Sequence, residues 1–266
     1  GVGQLILDAA NRGVTKIIVG LGGSCTNDGG CGAASAIGVK FINKNGEEFI
    51  PTGGTLNEID SIDMSCKAEV LKDIEIITMC DIDNPMYGPN GAAHVFAPQK
   101  GADREMVLHL DKGIKHLSEV IKKDLNRDLA EIPGTGAAGA MGAGMLAFFD
   151  STLQMGIETV LDTVKFDSLV SDADMIFTGE GKFDGQSLRG KVVMGVAKRA
   201  AYAKIPVIVI AGGAELDIDE AYNLGVTSVF TINRLPEGFE ISRTKSAENL
   251  NFTMDNILRL LKRMKR

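Results

Sequence analysis

The sequence has no excess of positive charge and no long hydrophobic run. Its 28 lysine and arginine residues are outnumbered by 35 aspartate and glutamate residues, which gives a formal net charge of −7. Without a large positive field, binding to nucleic acid or to an anionic membrane is excluded as the main function. No window approaches the roughly 20 apolar residues of a membrane span, and no signal-peptide pattern is visible. We expect a cytoplasmic protein that captures anions locally.

Cysteine and histidine are scarce and form no recognisable pattern. The four cysteines have no CxxC spacing, and the three histidines do not cluster with them. We therefore predict neither disulfides nor a zinc site, and we expect His109 and His116 at the surface or at an interface. Cys25 lies in a polar turn, where it is either a nucleophile or a small buried residue. The lack of a Cys-His or Ser-His signature favours the buried residue.

Two nucleotide-binding motifs are also missing. The sequence contains no GxxxxGK[ST] and no GxGxxG after a strand, so neither a P-loop ATPase nor a dinucleotide enzyme is supported. A 2-hydroxy-acid dehydrogenase would need such a fingerprint and a catalytic histidine, and no histidine lies in a glycine-rich loop.

The most informative segment is the glycine-rich turn 20–32, which follows the apolar run 16–19. Its glycines allow backbone N–H groups to approach a ligand, and its hydroxyl, amide and carboxylate groups suit a polar substrate or a phosphate with Mg²⁺. These groups belong to Ser24, Thr26, Asn27 and Asp28. The alternative is a turn in which the Asn-Asp pair caps the helix 32–38.

Three further segments combine glycine with charged groups. Two carboxylates and an amide follow the predicted strand 75–80, at Asp81, Asp83 and Asn84. The segment 133–144 is glycine-rich, so it is either a second ligand loop or a close helix contact. The segment 179–191 places Glu180 and Asp184 beside lysines, which favours a site over simple helix capping.

The order of predicted elements indicates an α/β fold. From residue 159 onward, helices at 159–170, 191–204, 218–224 and 246–265 alternate with strands at 175–178, 207–211 and 228–231. Short connections and unbroken apolar strands predict a parallel sheet covered on both faces, with ligands outside the carboxyl ends of its strands. The composition of the sequence changes near 155–165, where we place the domain boundary.

Together these segments resemble the type-1 glycerate kinase family over essentially the whole chain. The resemblance rests on GLGGSCTNDGG (20–30), CDIDNPMYGPNGA (80–92), FAPQKGA (96–102), GTGAAGAMGAG (134–144) and TGEGKFDGQSLRGKVVMGVA (178–197). It implies two α/β domains, one Rossmann-like with a three-layer parallel sheet and one mixed α/β domain inserted into it, with the active site in the cleft between them. Residues 1–160 resemble the inserted domain, and 161–266 the carboxyl-terminal part of the Rossmann-like domain.

The resemblance also implies a function, which is ATP-dependent phosphorylation of D-glycerate to 2- or 3-phosphoglycerate with Mg²⁺. Glycerate and ATP would be its small-molecule partners, and a homodimer stays open as its assembly. A non-catalytic binding or sensor protein for a small hydroxy acid is the alternative. The family's opening segment, with its Asp-Ser-Phe-Lys-Gly and Asp-Gly-Gly-Glu-Gly motifs, has no counterpart here. We therefore expect this chain alone to be a poor enzyme or an inactive one.

On this hypothesis each candidate residue has a role. For catalysis we expect Asp184 or Glu180 as the base, with Asp184 preferred, and Lys191 or Lys100 as the cation near the phosphates. The residues expected to bind substrate or phosphate are Gly22, Gly23, Ser24, Thr26, Asn27, Asp28, Lys100, Gly136 and Gly139. Those expected to bind the metal are Asp81, Asp83 and Asn84.

Overall fold

The computed structural model describes residues 1–185, 187–189, 191–215 and 217–264. The chain divides into two compact units, Gly1–Gly156 and Ile157–Arg266. Parallel sheets occur in both units, and helices follow most of their strands, so the predicted α/β class is confirmed. The assignment of the first unit as an inserted domain stays a prediction.

The first unit contains a parallel sheet and a small antiparallel sheet. Its strands are β1 (Lys16–Gly20), β2 (Lys40–Asn43), β3 (Glu48–Phe49), β4 (Ile59–Asp63), β5 (Glu75–Met79) and β6 (Thr152–Gln154). Its helices are α1 (Val2–Asn11), α2 (Cys31–Ala36), α3 (Ala92–Phe96), α4 (Arg104–Leu125) and α5 (Ala137–Phe149). The parallel sheet has the order β1-β5-β6 and the antiparallel sheet the order β3-β2-β4. The carboxyl ends of β1 and β5 therefore lie side by side.

Helix α4 follows the apolar pattern of its sequence except at its start. Asp103 caps the helix, accepting a hydrogen bond from the backbone N–H of Met106 at 2.9 Å. Ile114, Leu117 and Ile121 lie on one face and are fully buried in the core of the unit. The pattern also places Met106 on this face, but Met106 is 53% exposed. It lies in the first turn, where it borders a cavity rather than the core.

The second unit is a parallel sheet with helices on both faces. Its strands β7 (Ile176–Phe183), β8 (Val207–Ala214) and β9 (Val226–Thr231) have the order β7-β8-β9. Its helices are α6 (Gly156–Thr163), α7 (Phe166–Leu169), α8 (Val192–Tyr202), α9 (Asp219–Asn223), α10 (Phe239–Ser242) and α11 (Ser246–Met264). Val193 and Met194 of α8 pack on one face, while Ile257 of α11 packs with Ile208 and Ile210 on the other. The predicted covered sheet is confirmed.

Strand β7 is longer than predicted. The sequence suggested an end near residue 178 because glycines follow, yet β7 continues to Phe183 and pairs with β8 up to that point. A Cβ atom on Gly179 would lie 2.4 Å from the carbonyl oxygen of Ile210, so the glycine permits close strand contact. As a result, Glu180 and Lys182 lie in a strand, not in a loop.

Several short elements were not predicted, namely β4, β6, α3 and α10. Helices α6 and α7 were predicted as one helix, which is broken at Lys165 with φ 53°. The last helix was predicted to reach Lys265, which lies outside the described residues. Across the described ranges, no helix is both long and apolar enough to cross a membrane.

Candidate functional site

The segments that follow β1 and β5 line one cavity in the first unit. The cavity measures about 650 Å³. Gly22, Gly23 and Ser24 reach it from the carboxyl end of β1, and Asp81 reaches it from the carboxyl end of β5. Parallel pairing of the two strands brings these segments together, as expected at this edge of a parallel sheet. Lys100 also lines the cavity, so three separate motifs of the sequence contribute to it.

Lys100 lines a second, smaller cavity as well. Its ammonium group donates hydrogen bonds to the hydroxyl oxygen of Ser24 at 2.8 Å and to the carbonyl oxygen of Thr26 at 2.7 Å. Both acceptors are neutral, and within the part of the chain that the structure describes no carboxylate forms an ion pair with Lys100. Burial lowers the pKa of Lys100. The charge of Asp28 opposes part of this effect but makes no ion pair with Lys100, so the partly desolvated ammonium is a favourable place for an anionic ligand.

The smaller cavity, of about 370 Å³, has an unpaired amide in its wall. Asn27 is among its lining residues and is only 8% exposed. Neither its Oδ1 nor its Nδ2 atom has a hydrogen-bond partner among the described residues. Leaving a buried polar group unpaired costs about 1–3 kcal/mol, so such groups call for a functional explanation. Asn27 is a candidate ligand-binding residue on this ground.

Asp28 and Cys25 differ from Asn27 in their surroundings. The carboxylate of Asp28 accepts hydrogen bonds from the backbone N–H groups of Gly30 and Gly32, both at 3.1 Å, where α2 begins. The capping alternative therefore describes Asp28, and its part in ligand binding stays a prediction.

Cys25 was expected to be buried, and this was wrong. Its side chain is exposed because it lies in the turn, at the wall of the smaller cavity.

The glycine-rich segment at the start of α5 packs tightly against the turn after β1. Ala138, Gly139 and Ala140 have left-handed φ angles of 53°, 72° and 64°. A Cβ atom on Gly139 would lie 2.2 Å from the carbonyl oxygen of Thr26, and one on Gly136 would lie 2.3 Å from the backbone of Pro85. These glycines serve close backbone packing, while Ala138 lines the larger cavity. Ligand binding by Gly136 and Gly139 stays a prediction.

The three predicted metal ligands are not equivalent. Asp81 lines the larger cavity, and its Oδ1 atom accepts a hydrogen bond from the backbone N–H of Gly156 at 2.7 Å. Asp83 is exposed and does not line the cavity, and the side-chain amide of Asn84 donates to the carbonyl oxygen of Asn90 at 2.8 Å. Within the described ranges, no three His, Cys, Asp or Glu side chains form a metal-binding group. One carboxylate can still hold Mg²⁺ when phosphates supply the other ligands.

The second unit has its own cavity, of about 900 Å³, at the carboxyl ends of β7 and β8. Glu180 and Lys182 line it, and the Oε1 atom of Glu180 is buried without a hydrogen-bond partner among the described residues. Asp184 follows β7 directly, and its carboxylate lies 3.3 Å from the ammonium of Lys182. Lys191 is exposed at the start of α8, and neither Asp184 nor Lys191 lines the cavity.

Some cavity residues were not singled out from the sequence. Thr52 and Gly53 line the smaller cavity, and Asn233 and Arg243 line the cavity of the second unit. No pattern marks them, since each comes from a loop or a short helix far from the glycine-rich motifs. The pair Gly212-Gly213 at the end of β8 was predictable, because ligands bind at carboxyl strand ends, and both glycines line the cavity of the second unit.

Comparison with known proteins gives a consistent result. A model of the glycerate kinase family matches residues 1–262. The chain is 47% identical over 257 residues to a glycerate kinase of Bacillus cereus, covering 97% of this chain and 68% of that protein. It is 44% identical over 232 residues to the glycerate 2-kinase of Escherichia coli K12, covering 87% and 61%.

A solved structure agrees with these sequence matches. The protein from Salmonella typhimurium LT2 assigned as glycerate kinase 2 superposes with a TM-score of 0.82 at 38% identity, covering 100% of this chain and 69% of that one. The chain therefore spans between 61% and 69% of the length of these relatives. The comparisons confirm the fold class and the kinase class that the sequence predicted. They add no support for a homodimer.

Proposed function

The chain belongs to the glycerate kinase family, and from that premise we propose that its protein phosphorylates D-glycerate with ATP and Mg²⁺. The observation that carries this proposal is the ammonium of Lys100. It is partly buried, lines two cavities and has neutral hydrogen-bond acceptors in Ser24 and Thr26. Glycerate and ATP are both anions, so a cation that makes no ion pair with the described carboxylates favours their binding.

In the first unit, the two cavities suit different parts of the reaction. The smaller one would take the hydroxy acid, with Lys100 pairing with its carboxylate and Asn27 contacting a hydroxyl group. The larger one would take the transferring phosphoryl group near the backbone N–H groups of Gly22 and Gly23. Asp81 would hold Mg²⁺, which neutralises charge on the phosphates when it is bound. The oxygen chemistry of this carboxylate fits that ion.

In the second unit, we assign the base to Asp184. It follows a strand of the parallel sheet, where catalytic groups of such folds are expected, and its carboxylate is 22% exposed. The glycerate hydroxyl oxygen bonds to the γ-phosphorus as the bond from that phosphorus to the bridging oxygen of ADP breaks, and the hydroxyl proton passes to Asp184. Lys191 would supply positive charge to the phosphates.

A sensor protein for a small hydroxy acid is not favoured. Repulsion between carboxylates and an anionic ligand would weaken binding at a site that held no metal. Asp81 lines the larger cavity and Glu180 the cavity of the second unit, so both cavities contain acidic groups. A metal-nucleotide complex accounts for these groups, whereas a bare acid does not.

The deciding experiment is to follow the reaction of the full-length protein by phosphorus and carbon NMR. With D-glycerate, ATP and Mg²⁺ we expect ADP and a single phosphoglycerate, and the coupling pattern identifies the 2- or the 3-hydroxyl as acceptor. Excess EDTA is the control, and it should stop turnover without unfolding the protein. Binding of glycerate without any formation of ADP would contradict the proposal and would support the sensor.

A further inference from the structure

The cavity of the second unit has walls that suit a flat apolar group. It lies at the carboxyl ends of β7 and β8 and measures about 900 Å³. Ligand pockets for drug-sized or cofactor-sized molecules measure about 300–1,000 Å³, so its size is appropriate. Apolar side chains form much of its wall, from the strands and from α11: Phe177, Ile210, Ile232, Leu250 and Met254.

Two glycines keep the inside of this cavity open. A Cβ atom on Gly181 or on Gly213 would meet no heavy atom within 4 Å, although both residues line the cavity. Gly179 differs, because a Cβ atom there would lie 2.4 Å from the neighbouring strand. Packing therefore explains Gly179 but not the other two. At Gly181 and Gly213 the missing side chains leave bare backbone, against which a planar ring can lie.

Among the polar groups of the cavity, one has no hydrogen-bond partner in the part of the chain that the structure describes. The side-chain amide of Asn233 donates to the carbonyl oxygen of Gly212 at 2.7 Å. Lys182 pairs with Glu215 at 2.7 Å, so its charge is neutralised in the protein. The buried Oε1 atom of Glu180 accepts no hydrogen bond from the described residues. That oxygen is an acceptor for a ligand that carries amino or hydroxyl hydrogens.

We propose that this cavity binds the nucleoside part of ATP, an inference that rests on the proposed function. The purine ring lies between the glycine backbone and the apolar side chains of α11, and Glu180 accepts a hydrogen bond from the nucleoside. This makes Glu180 a nucleotide-binding residue and leaves the role of base to Asp184. A protein segment is the other possible occupant of the apolar walls, and the ADP titration below separates the two.

The test measures the affinity of the full-length protein for a fluorescent derivative of ADP, in the absence of glycerate. Leu250→Trp and Gly213→Val narrow the cavity, and we expect each to raise the Kd at least about tenfold, a change of about 1.4 kcal/mol. Leu258→Trp is the matched control. Leu258 lies on the same helix and is 52% exposed, against 41% for Leu250, but it does not line the cavity. Its Kd should stay within about twofold of the wild-type value.

The possible results separate this inference from the proposed function. Unchanged ADP affinity in both narrowed variants, or an equal loss in Leu258→Trp, would overturn the inference even if glycerate is phosphorylated. Loss of ADP affinity in the narrowed variants alone would support it even if glycerate is not the acceptor. If the wild type did not bind ADP, the inference would be overturned. If both narrowed variants were partly unfolded, the affinity of their folded fraction would decide, and an unchanged affinity would also overturn the inference.

Discussion

The ammonium of Lys100 lies 2.8 Å from the hydroxyl oxygen of Ser24, a residue 76 positions earlier in the chain. This contact holds the lysine across the turn that follows β1. Because the acceptor is neutral, the hydrogen bond fixes the position of the charge without cancelling it. An anion that enters either cavity therefore meets a cation whose geometry is already set, which reduces the ordering required on binding.

Replacing Lys100 by methionine should abolish anion capture and preserve the fold. Methionine keeps most of the side-chain length but removes the charge, and loss of one such group from a transition-state site reduces the rate by about a hundredfold or more. Steady-state kinetics with glycerate and ATP checks this. Lys115→Met is the control, since Lys115 is exposed on α4 and lines none of the cavities described above. Equal activity of the two variants would show that Lys100 is not part of the active site.

The same lysine predicts a pH dependence. Burial lowers the pKa of Lys100, so its charge is lost at a lower pH than in an ordinary lysine. Affinity for glycerate should therefore fall as the pH rises through that lowered pKa. The free energy of unfolding changes in the opposite direction. Between the lowered pKa and the unfolded value of about 10.4 the unfolded chain binds more protons, so this group's contribution to stability rises with pH.

Calorimetric titration of glycerate at several pH values measures the effect. Lys100→Arg is the informative variant, because a guanidinium stays charged throughout this range. Its affinity should show no decline where the wild-type affinity declines. A decline of the same size in both proteins would assign the titration to another group.

Replacing Asn27 by leucine should stabilise the fold while weakening the binding of glycerate. The amide of Asn27 is buried without a partner, so an apolar side chain of similar size removes a penalty of about 1 kcal/mol. Thermal unfolding should then occur about 2–4 °C higher, and the KM for glycerate should rise. Asn84→Leu is the contrast. It removes a hydrogen bond to Asn90 and should lower the melting temperature. If Asn27→Leu lowered the melting temperature and left the KM unchanged, the amide would have a structural role only.

Replacing Gly139 by any residue with a side chain should destabilise the fold. Its φ of 72° is left-handed, and a Cβ atom would lie 2.2 Å from the carbonyl oxygen of Thr26. Gly139→Ala combines backbone strain with displacement of the turn and should lower the free energy of unfolding by about 3 kcal/mol. Gly22→Ala is the matched variant, because a Cβ atom there meets nothing within 4 Å. Denaturant titration should show that only the first is strongly destabilised.

Local patterns in the sequence predicted the helices and strands better than they predicted the contacts of the site. The apolar periodicity of α4 and the unbroken apolar runs of β8 and β9 were sufficient to predict these elements. In each of them the pattern that identifies the element is contained in its own residues. The end of β7 was misjudged because Gly179 permits close strand contact here, although a glycine after an apolar run is typical of a loop. Strand β6 was missed because it has only Thr152–Gln154 and owes its conformation to pairing with β5.

The candidate site was predictable in its residue types and not in its arrangement. The motifs identified Lys100 and Asp81, since lysine and carboxylate next to glycine-rich turns suit phosphate chemistry. The contact of Lys100 with Ser24 depends on tertiary structure, as does the unpaired state of the Asn27 amide. The position of Asp83 outside the cavity could not be inferred, because it is only two residues from Asp81 and chemically identical to it.

That pair of aspartates gives the sharpest test of the metal hypothesis. Both aspartates are exposed, but Asp81 lines the larger cavity and Asp83 does not. Asp81→Asn keeps an oxygen that can accept the hydrogen bond from Gly156, so the fold should be retained while the negative charge is lost. Mg²⁺ prefers carboxylate oxygen, and the Mg²⁺ concentration for half-maximal activity should rise at least about tenfold. Asp83→Asn should leave that concentration unchanged. If the two variants require equal amounts of Mg²⁺, neither aspartate holds the ion, and the phosphates of ATP would be its main ligands.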